Sequence, residues 1–314
     1  MMLLAFSYLR RRWGQALLAM MVGALGITSV CVAFAGFEAL PEAAERAWGG
    51  VDLVVGPKSS ALDLVLCCAL HVSDPRGLVS EKAAMALGRH PLVRVAAPIA
   101  LGDNVEGLRI VGTTPDLLSV YRAGIARGRI WNKPLEAVLG AQAAKALHMS
   151  IGDRFVGAHG LAMGGEMHSQ FPYRIVGIMA PTGSVLDRLV LCDIATVRYI
   201  HKMHAEDEAA ETGVTETYVN LPDAATAVVA SYKSPVAMML LPRLVDADPA
   251  LSAGSPSLEI ARLMSYARPL TTAATALGLL LVLIAATGAA ASLMATMHAR
   301  TRDLALLRVL GAGP

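Results

Sequence analysis

The chain of 314 residues is long enough for one or two globular cores. It is 55% hydrophobic and only 17% charged, against about 25% charged in typical soluble domains, which excludes an ordinary soluble globule. Its 27 basic and 25 acidic residues nearly balance, and the basic surplus flanks the apolar stretches, so a nucleic-acid-binding surface is excluded as well.

Residues 1–12 form a short lead closed by Arg10, Arg11 and Arg12, and its Phe6 and Tyr8 suit an amphipathic helix lying on a membrane surface. No charged residue occurs from Trp13 to Phe37, which predicts a transmembrane helix over 13–38. At about 1.5 Å per residue such a run crosses a hydrocarbon core of about 30 Å. A single segment can cross only as a helix, because lipid offers no partner to free backbone groups. A cleaved signal peptide is the rival, with Ala33-Phe34-Ala35 as its cleavage site. The uncharged run ahead of that triplet exceeds the roughly 7–15 residues of a signal core, so an uncleaved anchor is expected.

The following stretch, 39–266, reads as a mixed α+β domain of short elements. Glu42 to Trp48 continues as a polar helix, and Val51 to Val55 reads as a strand closed by Gly56-Pro57. Helices are predicted over Ala61–Leu70, capped by Ser59 or Ser60, and over Ser80–Leu87, capped by Ser80. Strands are predicted at Leu92–Leu101, Leu108–Val111, Leu135–Leu139, Phe155, Tyr173–Met179 and Arg188–Cys192. Short helices are expected over Ala141–Leu147 and Ile194–Lys202. Gly160 to Gly165 is a glycine-rich loop, and the acidic run His204–Glu216 reads as a solvated loop or helix end. Thr217–Leu221 and Ala227–Ser231 look extended. Glu259 to Tyr266 then leads without a break into a second uncharged run, Pro269–Met297, which predicts a transmembrane helix over 267–297. Residues 298–314 form a basic tail.

Charge sets the orientation. The stretch from Glu38 to Tyr266 carries 20 basic and 24 acidic residues, whereas the ends carry Arg10, Arg11, Arg12, Arg300, Arg302 and Arg308 against Asp303 alone. Basic flanks stay on the cytoplasmic side. Both termini are therefore expected in the cytoplasm of a bacterial cell, with the central domain outside the inner membrane.

Cys31 falls inside the first span. Cys67, Cys68 and Cys192 fall in the outer domain, where a bridge from Cys67 or Cys68 to Cys192 can form, although packing as small buried hydrophobes is the simpler expectation. His201 and His204 share a helix face at i, i+3, and Met163, Met167 and His168 lie in the glycine-rich loop. His71 stands near Cys67 and Cys68. None of these sets has the spacing of a structural metal site, so no metal is assigned, and no cofactor. There is no G-x-x-x-x-G-K-[ST], G-x-S-x-G or H-E-x-x-H, so neither ATP hydrolysis nor hydrolase chemistry is expected of this chain.

Three stretches together resemble the MacB/FtsX/lipoprotein-release superfamily of ABC-transporter permeases. Gly128-Arg129, then Glu136-Ala137-Val138-Leu139-Gly140, a small helix and Ile151-Gly152-Asp153 look like the core pattern of its outer domain. Tyr173-Arg174-Ile175-Val176-Gly177-Ile178, with Thr182-Gly183-Ser184 and Asp187, looks like the strand and loop that follow. Arg300 to Ala312 is similar to the cytoplasmic signature after the second membrane helix, with Asp303 where Glu is usual and Ala305 where Gly is usual. The resemblance implies two transmembrane helices flanking a MacB-type extracytoplasmic α+β domain. Members continue into two further membrane helices, so on this resemblance the chain is a fragment or one piece of a split permease.

The resemblance also implies a function: a permease subunit that couples ATP hydrolysis by a separate ATPase to movements of the outer domain, in export, extraction or mechanotransmission. Leu304, Leu307 and Leu310 recur at spacings of three with Leu306 and Val309 beside them, while Arg300, Arg302 and Arg308 supply a polar rim, and Arg302, Asp303, Leu304, Leu306, Leu307, Arg308 and Leu310 are the expected partner-binding residues. Such a helix can dock in a groove on a partner, and the resemblance makes it the coupling segment pressed against the ATPase. The implied partners are that ATPase, a second permease subunit, the lipid bilayer and a periplasmic or envelope protein. The competing expectation is a two-span sensor or binding protein whose outer domain recognises a ligand.

Overall fold

The computed structural model of the chain describes residues 13–160, 167–212 and 223–309. These separate into two compact units, one built from the two end segments and one from residues 43–261.

The described residues begin with helix α1 (Trp13–Trp48). Strand β1 (Leu53–Pro57) and helix α2 (Ala61–Cys68) follow, then β2 (Val79–Ser80), α3 (Glu81–Gly88), the long β3 (Val93–Val105) and β4 (Leu108–Thr113). Next come α4 (Asp116–Val120), β5 (Ile125–Gly128), β6 (Glu136–Leu139), α5 (Ala141–Ala146), β7 (Arg154–Phe155), β8 (Ala158–His159) and β9 (Tyr173–Met179). A 3-10 turn (Val185–Arg188) precedes β10 (Val190–Asp193) and α6 (Ile194–Thr212). The 43–261 unit closes with β11 (Ala224–Ala225), β12 (Ala227–Tyr232), α7 (Pro235–Asp246) and β13 (Leu251–Gly254), and α8 (Pro256–Val309) is the last described element. Ser60 and Ser80 cap α2 and α3 as expected, their hydroxyls accepting from Asp63 N at 3.0 Å and Ala83 N at 3.4 Å.

One 11-stranded sheet organises the 43–261 unit, in the order β13-β1-β12-β3-β4-β10-β6-β9-β5, with β7 on β9 and β8 on β3. The pairs β4/β10 and β6/β9 are parallel and the others antiparallel. Successive strand residues alternate between two cores. Leu53, Val55, Ile110, Ala137, Leu139, Val190 and Cys192 enter one core; Val54, Val111, Val138 and Leu191 enter the other. Both faces are therefore covered, and the strands read as nearly continuous apolar runs instead of half-polar ones. Helix α6 lies over the first face through Ile194, Val197 and Ile200. Helices α2 and α4 lie over the second through Leu64, Val65, Leu117 and Val120.

This layering disposes of the cysteine bridge. Cys67 and Cys68 are buried in one core and Cys192 in the other, and all are free thiols. His71 is half-buried with its Nδ1 shut off from solvent, and desolvation pushes its imidazole down to about 3, so it stays neutral.

Among the described residues two helical segments are long and apolar enough to cross a membrane, Met20–Trp48 and Pro256–Ser292, and most of each lies in the other unit. Hardly any of their apolar residues are buried, which leaves Leu25, Phe34, Leu279 and Leu283 facing outward as lipid requires. Two threonine hydroxyls in the apolar stretch of α8 do not need water. Thr275 and Thr287 donate to the Thr271 and Leu283 carbonyls one turn back, at 2.8 and 2.9 Å. The two helices touch through small residues: a Cβ on Gly26 would fall 2.7 Å from the Gly278 carbonyl oxygen, and one on Gly278 would fall 2.8 Å from that of Gly26.

Candidate functional site

A polar cluster lies at the end of β3, where the sheet is otherwise apolar. The β3/β4 register slips between Leu101 and Asp103, leaving Gly102 as a bulge that re-aims the next side chain. Neighbouring groups brace the bulge. Leu101 N donates to Thr226 Oγ1 at 3.0 Å, and Gly160 N donates to the Gly102 carbonyl at 2.6 Å. Asn104 Nδ2 donates to the Gly160 carbonyl at 2.8 Å, which ties β8 to β3.

Asp103 is almost wholly buried at 2% exposure, and three histidines surround it. His159 stands opposite it in the β3/β8 register. His168 is held by its own N–H donating to the Gly157 carbonyl at 2.9 Å. His201 descends from α6. Its Nε2 lies 3.1 Å from Asp103 Oδ1, that of His168 lies 3.2 Å away, and His159 Nδ1 lies 3.7 Å away. His168 and His201 are buried, while the His159 side chain is 49% exposed. All four ligand-capable atoms lie within 4.8 Å of one another. Burial opposes ionisation of Asp103, but bonds to His168 and His201 and the charge of those rings outweigh it and hold the carboxyl far below its usual range. Asp103 Oδ2 is buried with no hydrogen-bond partner among the described residues.

The arrangement can do two things chemically. It can neutralise a buried carboxylate with imidazolium charge, or its imidazoles and carboxylate can hold a cation. The sequence pointed to two of its members for other reasons. Helical spacing couples His201 with His204, whose side chain lies outside the described residues, and the glycine-rich loop groups His168 with Met167 and Met163, the latter also outside them. The structure draws His168 and His201 together instead. Asp103 and His159 gave no signal, because a bulge and a short β8 pairing place them, and neither has a spacing signature.

The motif residues occupy structural positions elsewhere in the sheet. Arg129 forks onto Glu136, with Nη1–Oε2 at 2.7 Å and Nη2–Oε1 at 2.5 Å. Glu136 also accepts from Asn132 N and Lys133 N at 2.9 and 3.2 Å, and these donors, Arg129 first, hold its carboxyl down at about 2 against the effect of burial. Gly128 adopts φ +79, and a Cβ there would strike the Val176 carbonyl at 2.2 Å. Asp187 accepts from Thr182 N at 2.8 Å and Gly183 N at 2.9 Å, closing the loop after β9. Of the expected coupling residues, Arg302, Asp303, Leu304, Leu306, Leu307 and Arg308 fall on the last turns of α8 with side chains outside the described set, and Leu310 lies outside the described residues.

The profile of the MacB-like periplasmic core domain matches residues 16–232. The chain belongs to that family. Two solved structures are similar to it. The periplasmic region of MacB from Actinobacillus actinomycetemcomitans matches over 69% of this chain and 94% of its own, at 13% identity and TM-score 0.42. The extracellular domain of the noncanonic ABC-type transporter YknZ from Gram-positive bacteria matches over 65% and 98%, at 11% identity and TM-score 0.36. No curated protein matches the chain. Two apolar helices thus flank a mixed α/β domain of the MacB periplasmic type, in a permease of the MacB/FtsX-like kind. Within this MacB-like domain the Gly128-Arg129 and Glu136 motif builds the β5/β9/β6 edge of the sheet, whereas the histidine cluster sits on β3 and β8.

Proposed function

We propose that the chain is the membrane subunit of an ABC transporter, in which ATP hydrolysis on a separate cytoplasmic ATPase drives movements of the outer domain. Membership of the MacB-like core-domain family is the observation that carries this reading. The helices support it: α8 runs 54 residues, and a continuous helix is a stiff element for carrying displacement along its axis. In this reading both termini are cytoplasmic, and the unit works as a dimer with an identical or related permease. Residues 298–314, with Arg302, Asp303, Leu304, Leu306, Leu307, Arg308 and Leu310, dock on the ATPase.

Co-expression with the cognate ATPase tests the assignment. Leu307→Asp places a charge in an apolar interface, which is costly to bury. It is expected to abolish co-purification of the ATPase while membrane insertion stays intact. ATPase retained at wild-type levels by the Leu307→Asp chain overturns the docking assignment.

A further inference from the structure

We propose that Asp103, His159, His168 and His201 form a binding site for a divalent transition-metal cation, with zinc as the best-matched ion, in the outer domain. The proposal does not depend on the transport reading.

Geometry is the first argument. Zinc binds imidazole nitrogen and carboxylate oxygen at about 2.0–2.2 Å in a tetrahedron, which puts neighbouring ligand atoms about 3.3 Å apart. Three edges of such a figure are already present: Asp103 Oδ1 lies 3.1, 3.2 and 3.7 Å from the ring nitrogens of His201, His168 and His159. No pair among the four ligand atoms exceeds 4.8 Å, so small side-chain shifts suffice to complete the tetrahedron.

Composition is the second. Imidazoles with a carboxylate suit borderline cations such as zinc better than magnesium or calcium, which prefer oxygen donors throughout. Asp103 Oδ2, buried with no hydrogen-bond partner among the described residues, belongs to the same carboxylate as the Oδ1 that faces the rings, and a cation held by both oxygens would satisfy it.

The supporting structure is the third. Ligands within a sheet are held more firmly than ligands on loops. Here Asp103 is aimed by the Gly102 bulge, which Thr226 and Gly160 brace. Gly102 also leaves room for the His201 ring. His159, the half-exposed member, gives the ion a route from solvent. A bound ion would link β3, β8, the segment at His168 and α6, joining residues 98 positions apart.

Full-length, detergent-solubilised chain without a polyhistidine tag should be freed of metal with chelator and titrated with zinc by calorimetry. One zinc per chain is expected, with the thermal midpoint rising as zinc is added. Replacing the zinc with cobalt is expected to give the intense visible bands of a four-coordinate ion. His201→Gln and His168→Gln should each weaken zinc binding at least about tenfold, the lower end of what even outer-shell partners of a metal contribute. Because buried substitutions can disturb the fold, His159→Gln serves as a second probe. It should weaken zinc by a similar factor while leaving the metal-free thermal midpoint at the wild-type value. Absence of stoichiometric zinc binding, or unchanged affinity in His159→Gln and His201→Gln, overturns the proposal.

Discussion

Gly102 makes the space that the His201 ring fills: a Cβ at position 102 would fall 1.9 Å from His201 Cε1 and 2.7 Å from its Nε2. No rotation of an alanine methyl relieves that overlap, so the ring or the bulge must move. Gly102→Ala is expected to cost about 1–3 kcal/mol, the range for overpacking a dense interior. The thermal midpoint of the 43–261 unit should fall accordingly. Adding His201→Ala removes the obstructing ring, so the double variant should lose less than the sum of the single losses. Strict additivity in thermal unfolding would show that the two residues do not press on one another.

The Arg129–Glu136 fork yields a prediction in pH. Arg129 foremost, with the Asn132 and Lys133 N–H groups, lowers the Glu136 carboxyl from 4.5 to about 2 despite the opposing effect of burial. A carboxyl depressed in the folded state stabilises the fold fully above its unfolded value, and that contribution disappears as pH falls from about 4.5 to about 2. Glu136→Gln should therefore lower the thermal midpoint at neutral pH, and the gap to wild type should close between pH 4.5 and pH 2. A gap of constant size across that window would mean the carboxylate's charge is not what stabilises this edge of the sheet.

Much of the fold is legible from local rules. Ser60 and Ser80 announce helix starts because an N-cap hydroxyl is a local device. Tyr173–Met179 and Ala227–Ser231 declare themselves by β-branched and small apolar residues, and both form strands. Other elements are hidden. Pro235 and Pro242 look like breakers, yet Pro235 occupies the first turn of α7, where its missing N–H costs nothing. Strand β13 is made of Leu-Ser-Ala-Gly and exists because β1 pairs with it, a partnership nearly 200 positions distant that no window reveals. The acidic run His204–Glu216 is expected as a solvated loop or helix end, and α6 extends into it as helix to Thr212. The histidine cluster is hidden for the strongest reason. Its position depends on a one-residue register slip at Gly102 and on the β8 pairing, and tertiary contacts decide both.

The membrane unit offers a distance that chemistry can test. A Cβ on Gly23 would stand 3.4 Å from Ala285 Cβ, at the short edge of the about 3.5–4.5 Å that a disulfide requires. In a Cys31→Ser background, which removes the thiol inside α1, Gly23→Cys with Ala285→Cys should form an intramolecular bridge when membranes are oxidised. The bridge is visible as a mobility change that reductant reverses. That proximity depends on backbone contact at Gly26 and Gly278, since lipid supplies no hydrophobic drive for helix association and close packing has to supply it. A leucine at position 26 would strike the Gly278 carbonyl oxygen, which lies 2.7 Å from the Cβ position, and the Val282 methyl at 3.0 Å. Gly26→Leu should therefore suppress the bridge severalfold without affecting insertion. Equal bridge yield with and without Gly26→Leu would place the source of helix contact elsewhere along α1 and α8.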